Sequence, residues 1–357
     1  MKVAVAMSGG VDSSVTAALL KEEGYEVIGL TMQIRPSDEL SGDYVHSAVA
    51  DAKMVAEILG IAHYVVDFRD VFARKVIAHF CQEYGLGRTP NPCIRCNQFV
   101  KFGALLKKAE ELGAGLIATG HYARIEKDAA NGRYFIKKGS DRNKDQSYFL
   151  YAITQEQLMH SLFPLGELNK ERVRRIAEEL GLPVASRPES RDICFIPDSD
   201  YPRFLEEYGG GAAKPGPILD RRENILGEHK GLIFYTIGQR KGLGISSGEP
   251  LYVVAIEPER NAVIVGSKEE TYGSELIASE LNWIAIEEPK QSIRVKARIR
   301  YLHREAEALV TPSGEDRVQV TFEEPQMALT PGQAVVFYDG DTVIGGGSIE
   351  QVKQLIQ

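Results

Sequence analysis

The first 120 residues alternate unbroken apolar runs with stretches of helical spacing, and this alternation constrains the fold more than any other feature. Residues 2–7 form an apolar run, followed by helical spacing over 11–23. A strand-like run covers 25–32, and 46–60 sets Val49, Met54, Ile58 and Leu59 at helical intervals. Then come a third strand (62–66), a third helix (71–84), a helix over 99–112 stopped by Gly113, and a short buried strand at 116–119. Strands with no polar alternation must be covered on both faces, which calls for helices on both sides of a parallel sheet. The expected fold is therefore α/β with a doubly wound parallel sheet.

One more helix is expected over 170–180, with Asn169 as N-cap and Gly181 as its stop. GGGAAKPGP (209–217) reads as a linker or long loop. Beyond it lie β-like runs at 232–237, 251–256, 262–265, 293–301, 317–322 and 334–338, and Asp339-Gly340-Asp341 is a hairpin signal. A chain of 357 residues exceeds one ordinary core. The expected division is an α/β domain at 1–200, a small β-rich middle domain at 201–272, and a β-barrel or sandwich at 273–357.

No apolar run is long enough to cross a bilayer, and the N-terminal apolar stretch is too short for a signal peptide. A cytoplasmic enzyme with no membrane partner is expected. The net charge of −8 argues against indiscriminate nucleic-acid binding but leaves room for a local basic track. Such a track is legible over 290–304, with six basic residues and no acidic one. Arg294, Lys296, Arg298 and Arg300 alternate with Val295, Ala297 and Ile299, so one strand would carry all four cations on one face, as a phosphate track. Gln239-Arg240-Lys241-Gly242 is a second basic point that a surface turn explains nearly as well.

Ser8-Gly9-Gly10-Val11-Asp12-Ser13-Ser14 joins the first strand to the first helix. Glycines let a ligand approach the main-chain N–H groups, the helix N-terminus adds unpaired donors, and the serines add hydroxyls. The loop lacks the lysine of the commonest phosphate loop and is not G-x-G-x-x-G either. An ordinary serine-capped turn would share the glycines. Asp12 could orient Mg²⁺ or the loop, but one carboxylate fixes no metal site. Four cysteines, at 81, 93, 96 and 194, read as reduced thiols. Cys93 and Cys96 stand in a proline-rich loop, where Arg95 and Lys101 would lower a thiol pKa if close in space. Closed zinc sites want four ligands, and no second CxxC exists. Cys81, inside an amphipathic helix, reads as structural; apolar neighbours give Cys194 the same alternative.

SGGVDSS resembles the pyrophosphatase loop of the N-type ATP pyrophosphatases, whose fold is adenine nucleotide alpha hydrolase-like. Taken in order with TPNPCIRCNQFVKFG (89–103), ATGHYAR (118–124), KDQSYFL (144–150), RDICFIPD (191–198) and GQRKGLG (238–244), the chain is similar nearly end to end to the bacterial tRNA-uridine 2-sulfurtransferases. The resemblance implies that ATP adenylates the C2 oxygen of a wobble uridine and that a persulfide on Cys194 replaces AMP, with Cys96 as partner thiol. It implies ATP contacts at Ala6, Met7, Ser8, Gly9, Gly10, Val11, Asp12, Ser13, Met32 and Gly120, and target-base contacts at Asn91, Pro92 and Cys93. Contacts to tRNA would come from His121, Lys144, Asp145, Gln146, Arg300, Tyr301 and Gln333. ATP and Mg²⁺ are the implied cofactors; a tRNA with a wobble uridine and a persulfide donor (a cysteine desulfurase or sulfur-relay protein) are the implied partners. Some members carry aspartate where this chain has Cys93, and three cysteines could instead hold an iron–sulfur cluster with one open iron. The persulfide route is the preferred reading. The rivals are an ATP pyrophosphatase that makes an amide or lysidine, and an RNA-binding module with a vestigial loop.

Overall fold

The computed structural model describes residues 1–35, 42–187, 193–196, 200–209 and 213–354, with only the backbone for 42–47 and 354. Of the RDICFIPD motif, 193–196 are thus described, and the linker reading at 209–217 lies outside the described residues at 210–212. The chain divides into two compact units. The first joins Met1–Val76, Cys93–Pro197 and Asp341–Ile344; the second joins Ile77–Pro92, Asp198–Gly340 and Gly345–Gln357.

In the first unit the strands are β1 (Lys2–Ala6), β2 (Glu26–Gln33), β3 (Ala62–Asp67), β4 (Leu116–Ala118), β5 (Ala123–Lys127), β6 (Tyr134–Lys138) and β7 (Ser161–Leu162). Five of them make a parallel sheet in the order β3-β2-β1-β4-β7. Val3, Ala4 and Val5 of central β1 are fully buried, which is why its sequence shows no polar alternation. Chain order reverses at β1, so the crevice at its carboxyl end is the topological switch point, and residues 7–10 lie there. The hairpin β5–β6 extends through antiparallel pairing with Thr342 and Val343.

Helix Val11–Glu22 starts directly after the glycine loop. Helix Lys170–Glu179 begins as its composition requires: Asn169 Oδ1 accepts the Arg172 N–H (2.8 Å), and Gly181 ends it at φ +64°. The helix expected from residue 99 instead starts at Pro92. It runs through Pro92–Arg95, a π-helical stretch Cys96–Leu105 and Leu106–Glu111. Proline suits a first helical position, where its missing N–H has no bond to lose. Cys93 and Cys96 therefore sit on helical turns rather than in a loop, which corrects the sequence reading.

The second unit holds a four-stranded sheet of β8 (Gly216–Asp220), β9 (Ile225–His229), β10 (Tyr252–Glu257) and β11 (Ala262–Gly266), in the order β10-β11-β8-β9. The run 232–237 is not the strand expected. Leu232–Phe234 is a 3₁₀ turn, and Tyr235 is buried against Ile218, Val253, Val263 and Val265. Its apolar residues serve packing rather than strand pairing. After it come β12 (Tyr272–Trp283), β13 (Ile293–Arg298), β14 (Ala306–Pro312), β15 (Arg317–Met327), β16 (Ala334–Asp339) and β17 (Thr342–Gln354). Pairing of β12 with both β15 and β17 closes these six into a barrel. The turn between β16 and β17 is the expected hairpin, with Gly340 at φ +56°.

Asn169→Ala removes the cap of the helix that delivers Lys170. It should lower stability by about 1 kcal/mol in chemical denaturation, whereas no change would show that the cap bond is not formed.

Candidate active site

Gly10 is the N-cap of the first helix, and Gly9 holds φ +75° with its Cα against the Ala48 carbonyl oxygen, into which any Cβ would run. Gly120 is equally constrained: a Cβ there would lie 2.9 Å from the Asp12 backbone and side chain and 3.0 Å from the Ser13 nitrogen. The segment after β4 thus packs directly on the loop because residue 120 has no side chain. The serines contribute less than expected. Ser13 and Ser14 hydroxyls both donate to the Gly10 carbonyl (3.0 and 2.9 Å), and Ser13 Oγ accepts the Ser8 N–H (3.2 Å). These bonds fix the loop's curvature, and Ser8 is the exposed hydroxyl. Met7 is buried on the sheet, while Met32, at the end of β2, is half-buried.

The lysine missing from the loop arrives from elsewhere in the chain. Lys170, the first residue of its helix, sets Nζ 2.7 and 2.8 Å from the two carboxylate oxygens of Asp12. Tyr122 Oη donates to the same Asp12 Oδ1 at 2.7 Å. Tyr122 is itself held at both backbone groups by Gln146: its N–H donates to Gln146 Oε1 (3.0 Å), and its carbonyl accepts the Gln146 N–H (2.9 Å). A second cation, Arg187, donates to the Gly9 carbonyl (3.2 Å) and pairs with Asp51. Sequence reading missed Lys170 and Arg187. The signal available was a lysine directly after an N-cap, and its partner lies 158 positions away.

Cys93, Cys96 and Cys194 come together. The charge on one thiol raises the pKa of another, and all three feel Lys101. Cys96 is buried; Cys93 and Cys194 keep an exposed face although protein atoms crowd both sulfurs. That crowding dominates: desolvation pushes Cys93 up to about 11 and Cys96 up to about 12, and it raises Cys194, while Lys101 pulls each back only in part. Cys96 and Lys101 stand on one π-helical stretch, whose bonds span five residues and bring positions 96 and 101 nearer one face than an α-helix would. Among the described residues no carboxylate pairs with Lys101. Arg95, the other cation expected near the thiols, instead lies over the Phe99 ring (5.5 Å). Arg35 donates to the Cys194 carbonyl (2.9 Å). Cys81 is half-buried with a raised pKa, in keeping with a structural thiol.

Three family models match the chain: a tRNA methyl transferase HUP domain at residues 1–198, a tRNA methyl transferase PRC-barrel domain at 202–267, and an aminomethyltransferase β-barrel domain at 273–349. The chain is 57% identical over 356 residues to a tRNA-specific 2-thiouridylase, MnmA 1, of Caldanaerobacter subterraneus, covering 98% of both chains. It is 53% identical to the MnmA of Desulforamulus reducens, covering 99% of this chain and 98% of the relative. The chain belongs to the tRNA-specific 2-thiouridylase family. A 4-thiouridine synthetase solved with RNA and ATP is similar at 17% identity and a TM-score of 0.37, over 58% of this chain and 50% of that one.

Several residues tied to RNA in this thiouridylase by resemblance have internal partners. His121 is buried, bonded to Thr119 Oγ1 (2.6 Å) and packed beside Phe102 and Phe163; burial holds its pKa well below the ordinary histidine value. Asp145 is buried and accepts from the Gly139 and Ser147 N–H groups, whereas Lys144 is half-buried on the turn before it. Arg300 donates to the carbonyls of Ile237 (3.0 Å) and Ala328 (3.1 Å) and to Thr330, and Tyr301 beside it is half-buried. Gln333 donates to the Thr89 carbonyl (2.6 Å). Asn91 is half-buried, Pro92 buried and Cys93 exposed.

The basic stripe is corrected as well. Strand β13 ends at Arg298, and Arg294, Lys296 and Arg298 pair with Glu323 (2.7 Å), Glu307 (3.4 Å) and Glu305 (2.6 Å). Carboxylates of β14, of β15 and of the residue before β14 neutralise the face, which one strand's sequence could not show. Arg240 and Lys241 sit exposed on a turn.

Because Cys96 titrates near 12, its alkylation by iodoacetamide should rise about tenfold per pH unit between about pH 7 and about pH 10 without a plateau, read by mass spectrometry. A plateau near pH 8 would contradict the burial of this thiol.

Proposed function

We propose that this chain catalyses ATP-driven 2-thiolation of the wobble uridine of tRNA. The observation that carries this reading is that one unit holds both a lysine-backed pyrophosphatase loop and a cluster of three thiols around an ammonium group. The loop N–H groups from Gly9 to Ser13 and the start of the first helix would take the phosphates. The segment at Gly120 and the end of β2 at Met32 would take the rest of ATP. Mg²⁺ would accompany the nucleotide and neutralise phosphate charge, with Asp12 not free to hold it because its carboxylate accepts from Lys170 and Tyr122.

The uridine C2 oxygen attacks the α-phosphate and pyrophosphate departs. A carbonyl oxygen is a poor leaving group, and adenylation makes it a good one. The terminal sulfur of a persulfide on Cys194 attacks C2 and AMP leaves with that oxygen. Cys96 then attacks the Cys194 sulfur, breaking the S–S bond to the tRNA and leaving the thiocarbonyl and a Cys96–Cys194 disulfide. A thiol reductant resets the pair, and a persulfide donor reloads Cys194. The raised pKa of Cys194 supports a persulfide as the group that attacks C2, because a weakly acidic resting thiol is a poor nucleophile near neutral pH, whereas a persulfide is a strong one. Cys96, whose pKa is also raised, attacks only after losing its proton beside Lys101. Lys101 supplies the countercharge for each sulfur anion in turn. In this assignment, 1–200 activate and thiolate the base, 201–272 link to the tRNA, and 273–357 form the barrel.

The persulfide route is preferred to an iron–sulfur cluster on Cys93, Cys96 and Cys194, since among the described residues no group of three or more His, Cys, Asp or Glu side chains is placed to hold a metal ion. An amide or lysidine synthetase would leave the cluster at Lys101 without a role.

Cys96→Ser and Cys194→Ser should each lower thiolation by about 10³-fold, ~4 kcal/mol of barrier, with tRNA-stimulated conversion of ATP to AMP retained. Lys101→Met should slow sulfur transfer and leave AMP formation intact. Full thiolation by either serine variant would refute the proposal. Iron-free protein given a persulfide donor should be active, and loss of activity on iron removal would overturn the persulfide route.

A further inference from the structure

The segment leading into the base-contacting residues is fastened within the second unit at one residue, Thr89. Its N–H donates to the Pro331 carbonyl (2.9 Å) and its carbonyl accepts from Gln333 Nε2 (2.6 Å). Between these two partners stands Gly332 at φ +89°, where a Cβ would lie 2.9 Å from the Thr89 nitrogen. The turn approaches this closely because residue 332 is glycine. It is anchored in the barrel in turn, since the Gly332 N–H donates to the Ile349 carbonyl and the Ile349 N–H to the Gln333 carbonyl, both at 2.8 Å. On the same segment, Gly87 abuts Ile256 and Pro258, so close that an added Cβ would lie 2.9 Å from each, and Thr89 Oγ1 lies 3.3 Å from Thr236 Oγ1. Arg88 is bound back onto Glu83 through its N–H (2.9 Å) and its guanidinium (3.7 Å). Both polar backbone groups of Thr89 are thus satisfied by one barrel turn, two residues before Asn91 and three before Pro92.

We propose that Gln333 is a positioning residue: with Pro331 it clamps the Thr89 backbone and so sets where Asn91 and Pro92 present themselves to the target uridine. The proposal rests on the reading of Asn91–Cys93 as the base-contacting stretch. Gln333, to which the resemblance assigns an RNA contact, has this protein partner in the free chain. The physical reason is reach. A short segment bound at both Thr89 backbone groups has little freedom at its next two residues, and small errors in the placement of a reacting base cost large factors in rate.

The test is Gln333→Met, which keeps length and removes the donor. Single-turnover sulfur transfer should fall about ten- to a hundredfold, while tRNA Kd stays within about twofold. In the free protein, hydrogen exchange at the Thr89 amide should accelerate, with protection of 334–338 in β16 unchanged. A rise in Kd as large as the loss of rate would mean that Gln333 meets the RNA itself and would overturn the clamp. Unchanged Thr89 exchange would also overturn it. If Gln333→Met fails to fold, Gln333→Glu, of equal length and without a donor when ionised, carries the same expectations. The exchange readout needs neither ATP nor tRNA, so failure of the clamp is distinguishable from failure of the proposed thiolation, which would appear as an inactive wild-type chain.

Discussion

The Lys170–Asp12 ion pair is the interaction on which the site depends. A glycine-rich loop has little conformational preference of its own, and its N–H groups form an anion cradle only if something outside holds it. Asp12 is that handle. One helix N-terminus supplies Lys170, the segment after β4 supplies Tyr122, and Gln146 fixes Tyr122 in turn. Two stretches far apart in sequence converge on one carboxylate and a third holds one of them, so the loop is set by tertiary structure. The same arrangement supplies the cation that the loop's own residues lack. Lys170 does so as a partner of Asp12 rather than as a residue of the loop itself.

The sulfur end of the site obeys a different constraint. Burying a thiol protects it and also raises its pKa, so the three thiols are held protonated at rest. In the proposed route the persulfide brings the reactivity that resting Cys194 lacks, and Lys101 offers its charge a partner. The π-helical stretch that carries both Cys96 and Lys101 is an uncommon element of the kind that marks functional sites.

Much of this was legible in the sequence, for identifiable reasons. The parallel sheet could be read because burial of both faces imposes unbroken apolar strands, and the loop because glycines at φ +75° and at close approaches leave a compositional mark. Asn169 and Gly181 marked their helix because caps are local. The failures are equally physical. Residues 232–237 have strand composition but pack as a turn, and helix Pro92–Arg95 was hidden because prolines read as a loop. The stripe Arg294–Arg298 seemed unpaired because its partners Glu305, Glu307 and Glu323 all lie later in the chain. Lys170 and Thr89 gain their roles only from partners more than 150 residues away, and no local pattern encodes that.

The central claim is that the loop and the thiols act in sequence on one carbonyl of one base. Substrate tRNA carrying ¹⁸O at C2 of the wobble uridine tests it most directly, with mass analysis of the released AMP. The account predicts one ¹⁸O atom in AMP for each thiolated uridine. Label appearing in pyrophosphate or water, or thiouridine formed with unlabelled AMP, would contradict it.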